Sequence, residues 1–152
     1  MDKKVRNAVR TYLIENNKVV VIKNKCEVNK DFYDIPGGKI ENNESDVDAA
    51  KREFKEETGM QIDDLIYKGK TIVEYPDRIY NFSIFIANRY IGKPQEFEQN
   101  MSMWIDIQEL LKEEKILPVV KILEYLKNED MINLNITCDK LNNVIKIETN
   151  NN

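Results

Sequence analysis

The segment from Gly37 to Met60, GGKIENNESDVDAAKREFKEETGM, gathers Glu44, Glu53, Glu56 and Glu57 around Arg52. If this segment is helical, about 100° of turn per residue puts Glu53, Glu56 and Glu57 within roughly a 100° arc. Like charges at such spacings repel. Lys51, Arg52 and Lys55 offset part of that repulsion, and a bound divalent cation would offset it better. The donors on offer are carboxylate and carbonyl oxygens, which favour Mg²⁺ or Mn²⁺ over softer metals. Clustered carboxylates with a hard cation suit phosphoryl chemistry, in which the metal neutralises phosphate charge and a remaining glutamate takes a proton from water. Arg52, four residues before Glu56, is placed to orient a carboxylate. The plainer alternative is a solvated charged helix face. Against it stands the Pro36-Gly37-Gly38 loop, whose glycines let backbone approach a ligand closely.

Composition narrows the chemistry further. The chain has 152 residues, 41% of them hydrophobic and 33% charged, enough for one domain with a real core. It contains no histidine. A Ser–His–Asp triad, a His-ligated zinc and imidazole acid–base catalysis are therefore excluded. The net charge of −4 offers no basic footprint for stable duplex nucleic-acid binding. Cys26 and Cys138 lack C-x-x-C spacing and read as reduced thiols. The start MDKKVRNAVR has no apolar h-region, and no apolar run reaches the ~18 residues of a membrane span. A cytoplasmic location is expected, with no membrane partner. The oligomeric state is open between monomer and homodimer.

The surrounding elements must hold the acidic segment in place. Ala8 to Ile14 and Lys18 to Ile22 read as strands joined by a turn at Glu15-Asn16-Asn17. Phe32 to Ile35 is a short strand ended by Pro36-Gly37-Gly38. The helix runs from Ser45 to Thr58, with Ser45 as N-cap, Asp48 in a capping-box-like position and Gly59 as the left-handed stop. Val47, Ala50 and Phe54 form its expected core stripe. Strands follow at Leu65 to Tyr75, Ile79 to Ala87 and Met101 to Ile107, then a short helix at Gln108 to Glu114. A last helix is expected from Pro118 to about Lys127, with Val119, Ile122, Leu123 and Leu126 on one face. Two apolar clusters, around Ile132 to Ile136 and Val144 to Ile147, form a candidate hairpin before a frayed Thr149–Asn152 end. Short links between strands favour a mixed α/β (α+β) sandwich over a doubly wound sheet.

The acidic segment resembles the Nudix box of the MutT/Nudix hydrolase family, G-x5-E-x7-R-E-U-x-E-E-x-G-U with U aliphatic. The match runs through Gly38, Glu44, Arg52, Glu53, Phe54, Glu56, Glu57, Gly59 and Met60, with every gap length kept. Phe54 departs from the pattern in packing only. The approach Tyr33-Asp34-Ile35-Pro36-Gly37-Gly38, and Trp104-Ile105 followed by Glu109-Leu110, also resemble family segments. The likeness covers about residues 5 to 127, which divides the chain into a Nudix domain at 1–128 and a C-terminal extension at 129–152.

The resemblance implies a mixed β-sheet sandwiched between α-helices. It implies a metal-dependent pyrophosphohydrolase in which water attacks phosphorus of a nucleoside diphosphate linked to another moiety. Glu53, Glu56 and Glu57 would be metal ligands, together with the Gly38 carbonyl. Glu53 would double as a base, Arg52 would orient the glutamates, and Glu44 would be a supporting or additional acid. Glu98, with Glu96 as its rival, would be a late acidic residue assisting the metal or the base. The cofactor implied is Mg²⁺ or Mn²⁺, and the partner is a small nucleotide. Tyr33 and Tyr80 are the aromatic candidates for stacking on a base.

Substrate identity lies outside the box. In family members that cleanse oxidised guanine nucleotides, an Asn directly after a proline near the last helix reads the base; in this chain the segment is Leu117-Pro118-Val119. Pro76 lies roughly where ADP-ribose hydrolases carry a proline, and Tyr75-Pro76-Asp77 also reads as a simple turn. The alternative function is a non-catalytic Nudix-fold nucleotide-binding or regulatory domain, against which the intact box argues.

Overall fold

A computed structural model describes residues 2–128 and 130–150. Residue 129, which opens the expected C-terminal extension, and residues 151 and 152 of the expected frayed end lie outside them. Among the described residues nine strands form one mixed assembly: β1 (Lys4–Glu15), β2 (Lys18–Asn24), β3 (Tyr33–Asp34), β4 (Gly37–Lys39), β5 (Gln61–Glu74), β6 (Arg78–Ile91), β7 (Asn100–Asp106), β8 (Ile132–Cys138) and β9 (Val144–Thr149). The strand order is β3-β2-β1-β6-β5-β8-β9, with β4 paired to β1 and β7 to β2. Two helices, α1 (Asp46–Thr58) and α2 (Ile107–Leu111), and one 3₁₀ helix (Pro118–Tyr125) complete it. Among the described residues no helix is long and apolar enough to cross a membrane.

Side-chain alternation along β1 explains the layering. Val9 and Leu13 face α1, where Val9 packs with Ala49, Ala50 and Phe85, and Leu13 with Phe54 and Met60. Ala8 and Tyr12 face the other way, into a larger core with Phe82, Ile84, Val119, Ile122 and Leu123. The Tyr12 hydroxyl donates to the Val119 carbonyl at 2.6 Å, fixing the 3₁₀ helix to the sheet. The sheet is thus covered by α1 on one side and by α2 with the 3₁₀ helix on the other.

Both ends of α1 follow the expected chemistry. The Asp48 N–H donates to Ser45 Oγ at 3.1 Å, and Gly59 takes the left-handed conformation at φ 78°. The core stripe differs from expectation at one position. Val47 is exposed, while Ala49, Ala50, Phe54 and Thr58 are buried. The buried row runs 50, 54, 58, and its first-turn member is Asp46, which accepts from Ser83 Oγ of β6 at 2.6 Å. That bond gives Asp46 the sheet-facing place and leaves Val47 outside.

The strands at the centre are longer than their sequence signals, because backbone pairing continues past the apolar core. The parallel β1–β6 pair alone extends from Lys4↔Arg78 to Leu13↔Ala87. The last helix is 3₁₀ and ends at Tyr125. It has no side-chain cap and begins with Pro118 followed by β-branched Val119 and Val120, so its stability comes from burial rather than from helical propensity. Tyr75-Pro76-Asp77 is the β5–β6 turn, closed by the Tyr75 N–H donating to Arg78 O at 2.8 Å. The hairpin β8–β9 continues the sheet through parallel pairing of β8 with β5.

Candidate active site

Strand β4 and helix α1 meet with little space between them. In the β1–β4 register Arg10 lies opposite Gly37 and Val9 opposite Gly38. A side chain at Gly37 would collide with the Val9 carbonyl, and a Cβ at Gly38 would fall 2.5 Å from the Glu53 carboxyl carbon. Each glycine therefore receives one carboxylate of α1: Glu53 lies against Gly38, and Glu57 Oε1 accepts from the Gly37 N–H at 2.7 Å.

Arg52 organises the remaining acids. Its Nε and Nη2 donate to Glu44 at 2.7 and 3.0 Å, Nη1 donates to Glu53 Oε1 at 3.0 Å, and Nη2 also reaches the Lys39 carbonyl at 3.0 Å. Its contacts to exposed Glu56 are longer, 3.4 and 3.5 Å. With the carboxylates gathered on Arg52, no three acidic or Cys side chains among the described residues converge closely enough, as they lie, to hold a metal ion.

The three glutamates differ electrostatically. The Arg52 hydrogen bonds, followed by the N–H of Glu41, hold Glu44 below the usual carboxylate range. Burial raises Glu53, although Arg52 opposes the shift. Burial pushes Glu57 up to about 8, against Arg10 and the Gly37 N–H and helped by Asp34 and Glu53. Glu53 and Glu57 are therefore desolvated acids that favour a neighbouring positive charge.

Sequence reasoning did not find Arg10 and Asp34. Arg10, from β1, approaches both oxygens of Asp34 at 3.4 Å, donates to the Val9 carbonyl at 2.9 Å and lies 4.7 Å from the centre of the Phe82 ring. Asp34 is only 8% exposed. Burial works against the Arg10 charge, but Asp34 and Glu57 outweigh it and raise its pKa. The signal available was a charged residue within the apolar strand run AVRTYLI; its partner comes from a different strand.

Two clefts share Arg10, Tyr80 and Phe82. One, of about 170 Å³, is lined by aromatic and polar groups including Asn24, Asn29, Asp34, Tyr75 and Arg78. The other, of about 590 Å³, runs past Gly38 and carries Lys4, Arg6, Arg10 and Lys39 with no acidic residue in its lining. Tyr80 stacks on Phe82 at 5.4 Å between ring centres and meets Tyr75 edge-on at 5.9 Å.

The expected site residues do not all come together. Gly38, Glu44, Arg52, Glu53, Glu56 and Glu57 form one cluster, and Tyr80 lines the adjoining clefts. Tyr33 does not line them. Strand alternation turns Asp34 toward Arg10, and Tyr33 instead lines a surface depression with Lys23 and Lys115. Glu96 pairs with Lys25, and Glu98 is exposed. Among the described residues no hydrogen bond joins either acid to α1. Their segment nevertheless abuts the end of that helix: Asn100 Nδ2 donates to the Glu57 carbonyl at 2.8 Å and the Gln95 N–H to the Thr58 carbonyl at 3.0 Å.

An Arg-bound glutamate cluster lies beside a basic cleft, on a mixed sheet covered on both faces, an arrangement suited to a phosphate-bearing substrate. The NUDIX domain model matches residues 4–126, and the chain belongs to the Nudix family. It is a hydrolase of the pyrophosphatase type, similar to MutT proteins. Over 133 residues it is 28% identical to the 8-oxo-dGTP diphosphatase of Haemophilus influenzae, covering 85% of this chain and 96% of the relative. It is 28% identical to the Escherichia coli enzyme of the same description over 106 residues, covering 69% and 82% of the two chains. The fold is that of a MutT protein from Bacillus halodurans, with a TM-score of 0.80 at 16% identity over 95% of this chain and 97% of that one.

Proposed function

We propose that the chain is a divalent-metal-dependent pyrophosphohydrolase of nucleoside triphosphates, with oxidised purine nucleotides the first substrates to test. The observation that carries this reading is the placement of Glu53 and Glu57 against Gly38 and Gly37 while Arg52 holds the neighbouring acids. The activities named for the bacterial relatives support the substrate class.

The donor set fits a hard cation. Glu53, Glu56, Glu57 and the Gly38 carbonyl are all oxygen donors, and two of these acids are desolvated and crowded. Glu53, Glu56, Glu57 and the Gly38 carbonyl would hold it, and Glu56, exposed and loosely held by Arg52, would be free to join them. Bound Mg²⁺ or Mn²⁺ would supply charge neutralisation on the phosphate oxygens.

The chain's own residues do the rest. Lys4, Arg6, Arg10 and Lys39 draw the phosphate chain along the basic cleft to Gly38. Glu53, with its raised pKa, is better matched than an ordinary carboxylate to taking a proton from water as it attacks phosphorus. Arg52 orients Glu53 and Glu56, and Glu44 anchors Arg52. The base stacks against Tyr80 and Phe82, and Asp34, Asn24 and Asn29 supply polar contacts. Val119 lines this cleft where the resemblance expects an amide, so Asn24 and Asn29 are the amides that face the base. The catalytic unit is residues 1–128, and the extension 129–152 contributes the β8–β9 hairpin.

The test is one substrate panel with Mg²⁺ and with Mn²⁺. It contains oxidised and ordinary nucleoside triphosphates, ADP-ribose, dinucleoside polyphosphates and nucleotide sugars, with phosphorylated products identified. Nucleoside monophosphate and pyrophosphate are expected from triphosphates, with loss of activity in chelator. Nucleotide binding without any product across the panel would overturn the proposal in favour of a binding domain.

A further inference from the structure

We infer that Asn142, in the turn between β8 and β9, is a positioning residue that sets the outer width of the aromatic cleft and thereby its discrimination between bases. The inference rests on the proposed nucleotide reading. The Tyr75 hydroxyl donates to Asn142 Oδ1 at 2.7 Å, and Asn142 Nδ2 donates to Asn29 Oδ1 at 3.0 Å. Tyr75 and Asn29 both line the cleft. One amide thus uses its acceptor on one lining residue and its donor on another.

Both sides of this link are built to hold it. The turn is organised by Asp139, whose Oδ1 accepts from the N–H groups of Leu141 and Asn143 at 2.8 and 2.9 Å, and whose Oδ2 accepts from Asn143 Nδ2 at 3.0 Å. Asn142 itself takes φ 70°, a left-handed conformation open to Asn and Gly. On the other side Tyr75, in the β5–β6 turn, is 6% exposed and lies 4.0 Å under the Arg78 guanidinium. On the loop side Asn29 stands in the 25–32 segment, where the Phe32 N–H donates to the Asn29 carbonyl at 3.0 Å and the Asp31 N–H to the Asn24 carbonyl at 2.8 Å. The rings of Tyr80 and Phe82 come from β6 and that of Tyr75 from the turn before it, whereas Asn29 comes from a loop. The Asn142 amide joins the two, so a base entering between them meets a fixed gap.

Two variants separate positioning from simple packing. Asn142→Gly keeps the left-handed turn and removes the amide. Asn142→Asp keeps the acceptor for Tyr75 but offers no donor to Asn29. Loss of the Asn29 link, the hydrogen bond cut in both variants, predicts a rise of roughly threefold to tenfold in KM for purine nucleoside triphosphates in Asn142→Gly, with kcat held. The purine-over-pyrimidine preference in kcat/KM narrows accordingly, and Asn142→Asp behaves alike because the Asn29 link is cut in both. Without nucleotide, hydrogen exchange of amides 25–32 speeds up in both variants. A lower melting temperature with unchanged KM, preference and loop exchange would reduce Asn142 to a packing role and overturn the inference; so would faster loop exchange with an unchanged base preference. Should the wild-type protein turn over no nucleotide, the functional reading fails, and unchanged loop exchange in the variants would independently refute the link.

Discussion

Arg52 closes a two-pronged fork on Glu44, Nε to Oε2 at 2.7 Å and Nη2 to Oε1 at 3.0 Å, while its third nitrogen holds Glu53 at 3.0 Å. The guanidinium is therefore fixed on one side by a residue outside α1 and transmits that position to a residue within it. Lysine has no fork with which to do both. Arg52→Lys should cut kcat on the order of a hundredfold, the scale of a small misplacement of a catalytic group. Glu44→Gln should cause a smaller loss, with the melting temperature little changed. Steady-state kinetics beside thermal denaturation checks both, and a lysine variant with wild-type kcat would remove Arg52 from the mechanism.

Glu53 and Glu57 are the two desolvated acids of the site. Glu53→Gln and Glu57→Gln should each lower turnover by roughly two to four orders of magnitude while the fold survives. Circular dichroism confirms the fold and a pyrophosphate-release assay reads the turnover. Full activity in both variants would exclude both carboxylates from the chemical step.

The two adjacent glycines should fail differently. An alanine at Gly38 meets the flexible end of Glu53, so the carboxylate shifts: activity falls sharply and stability little. An alanine at Gly37 meets the Val9 carbonyl, so the β1–β4 pairing itself must open. Gly37→Ala should lose far more melting temperature than Gly38→Ala. Equal losses would mean that Glu53 and Val9 yield alike, contrary to the packing.

Metal-free protein should lose stability as pH rises. Burial raises the Glu57 pKa in the folded state to about 8 from an ordinary 4.5. Its contribution is fully present below the unfolded value and is lost as pH rises through the folded value, because folding then buries a carboxylate. Melting temperature in chelator should decline between about pH 4.5 and 8. Glu57→Gln should flatten the decline, and parallel slopes for the two proteins would contradict the assignment.

Divalent metal should reverse that penalty. Millimolar Mg²⁺ or Mn²⁺ should raise the melting temperature at pH 8, since a ligand at a hundred times its Kd adds about 2.7 kcal/mol to the native state. Glu57→Gln should reduce the rise. A wild-type melting temperature indifferent to both metals would count against a cation at this cluster.

Helix α1 was legible because its signals are local. The Ser45 cap, the Gly59 stop and the spacing of Arg52, Glu53, Glu56 and Glu57 all lie within one segment, and helical geometry alone converts that spacing into a shared face. The same local rule misplaced Val47, because the hydroxyl of Ser83, on a strand far along the chain, decides which first-turn residue faces the sheet. It also left Tyr33 and Tyr80 equal, although strand direction turns one away from the clefts and the other into them.

The sequence by itself determined the groups available for chemistry: clustered carboxylate oxygens, an arginine among glutamates, no imidazole, and glycines where backbone must come close. Tertiary structure alone decided what surrounds that chemistry. The Arg10–Asp34 pair, the Tyr75–Asn142–Asn29 link and the shared clefts each join residues from separate strands and loops. No spacing along the chain encodes such contacts, because strand pairing sets them: β1 beside β6 brings Arg10 to Phe82, and β8 beside β5 brings the hairpin turn to Tyr75.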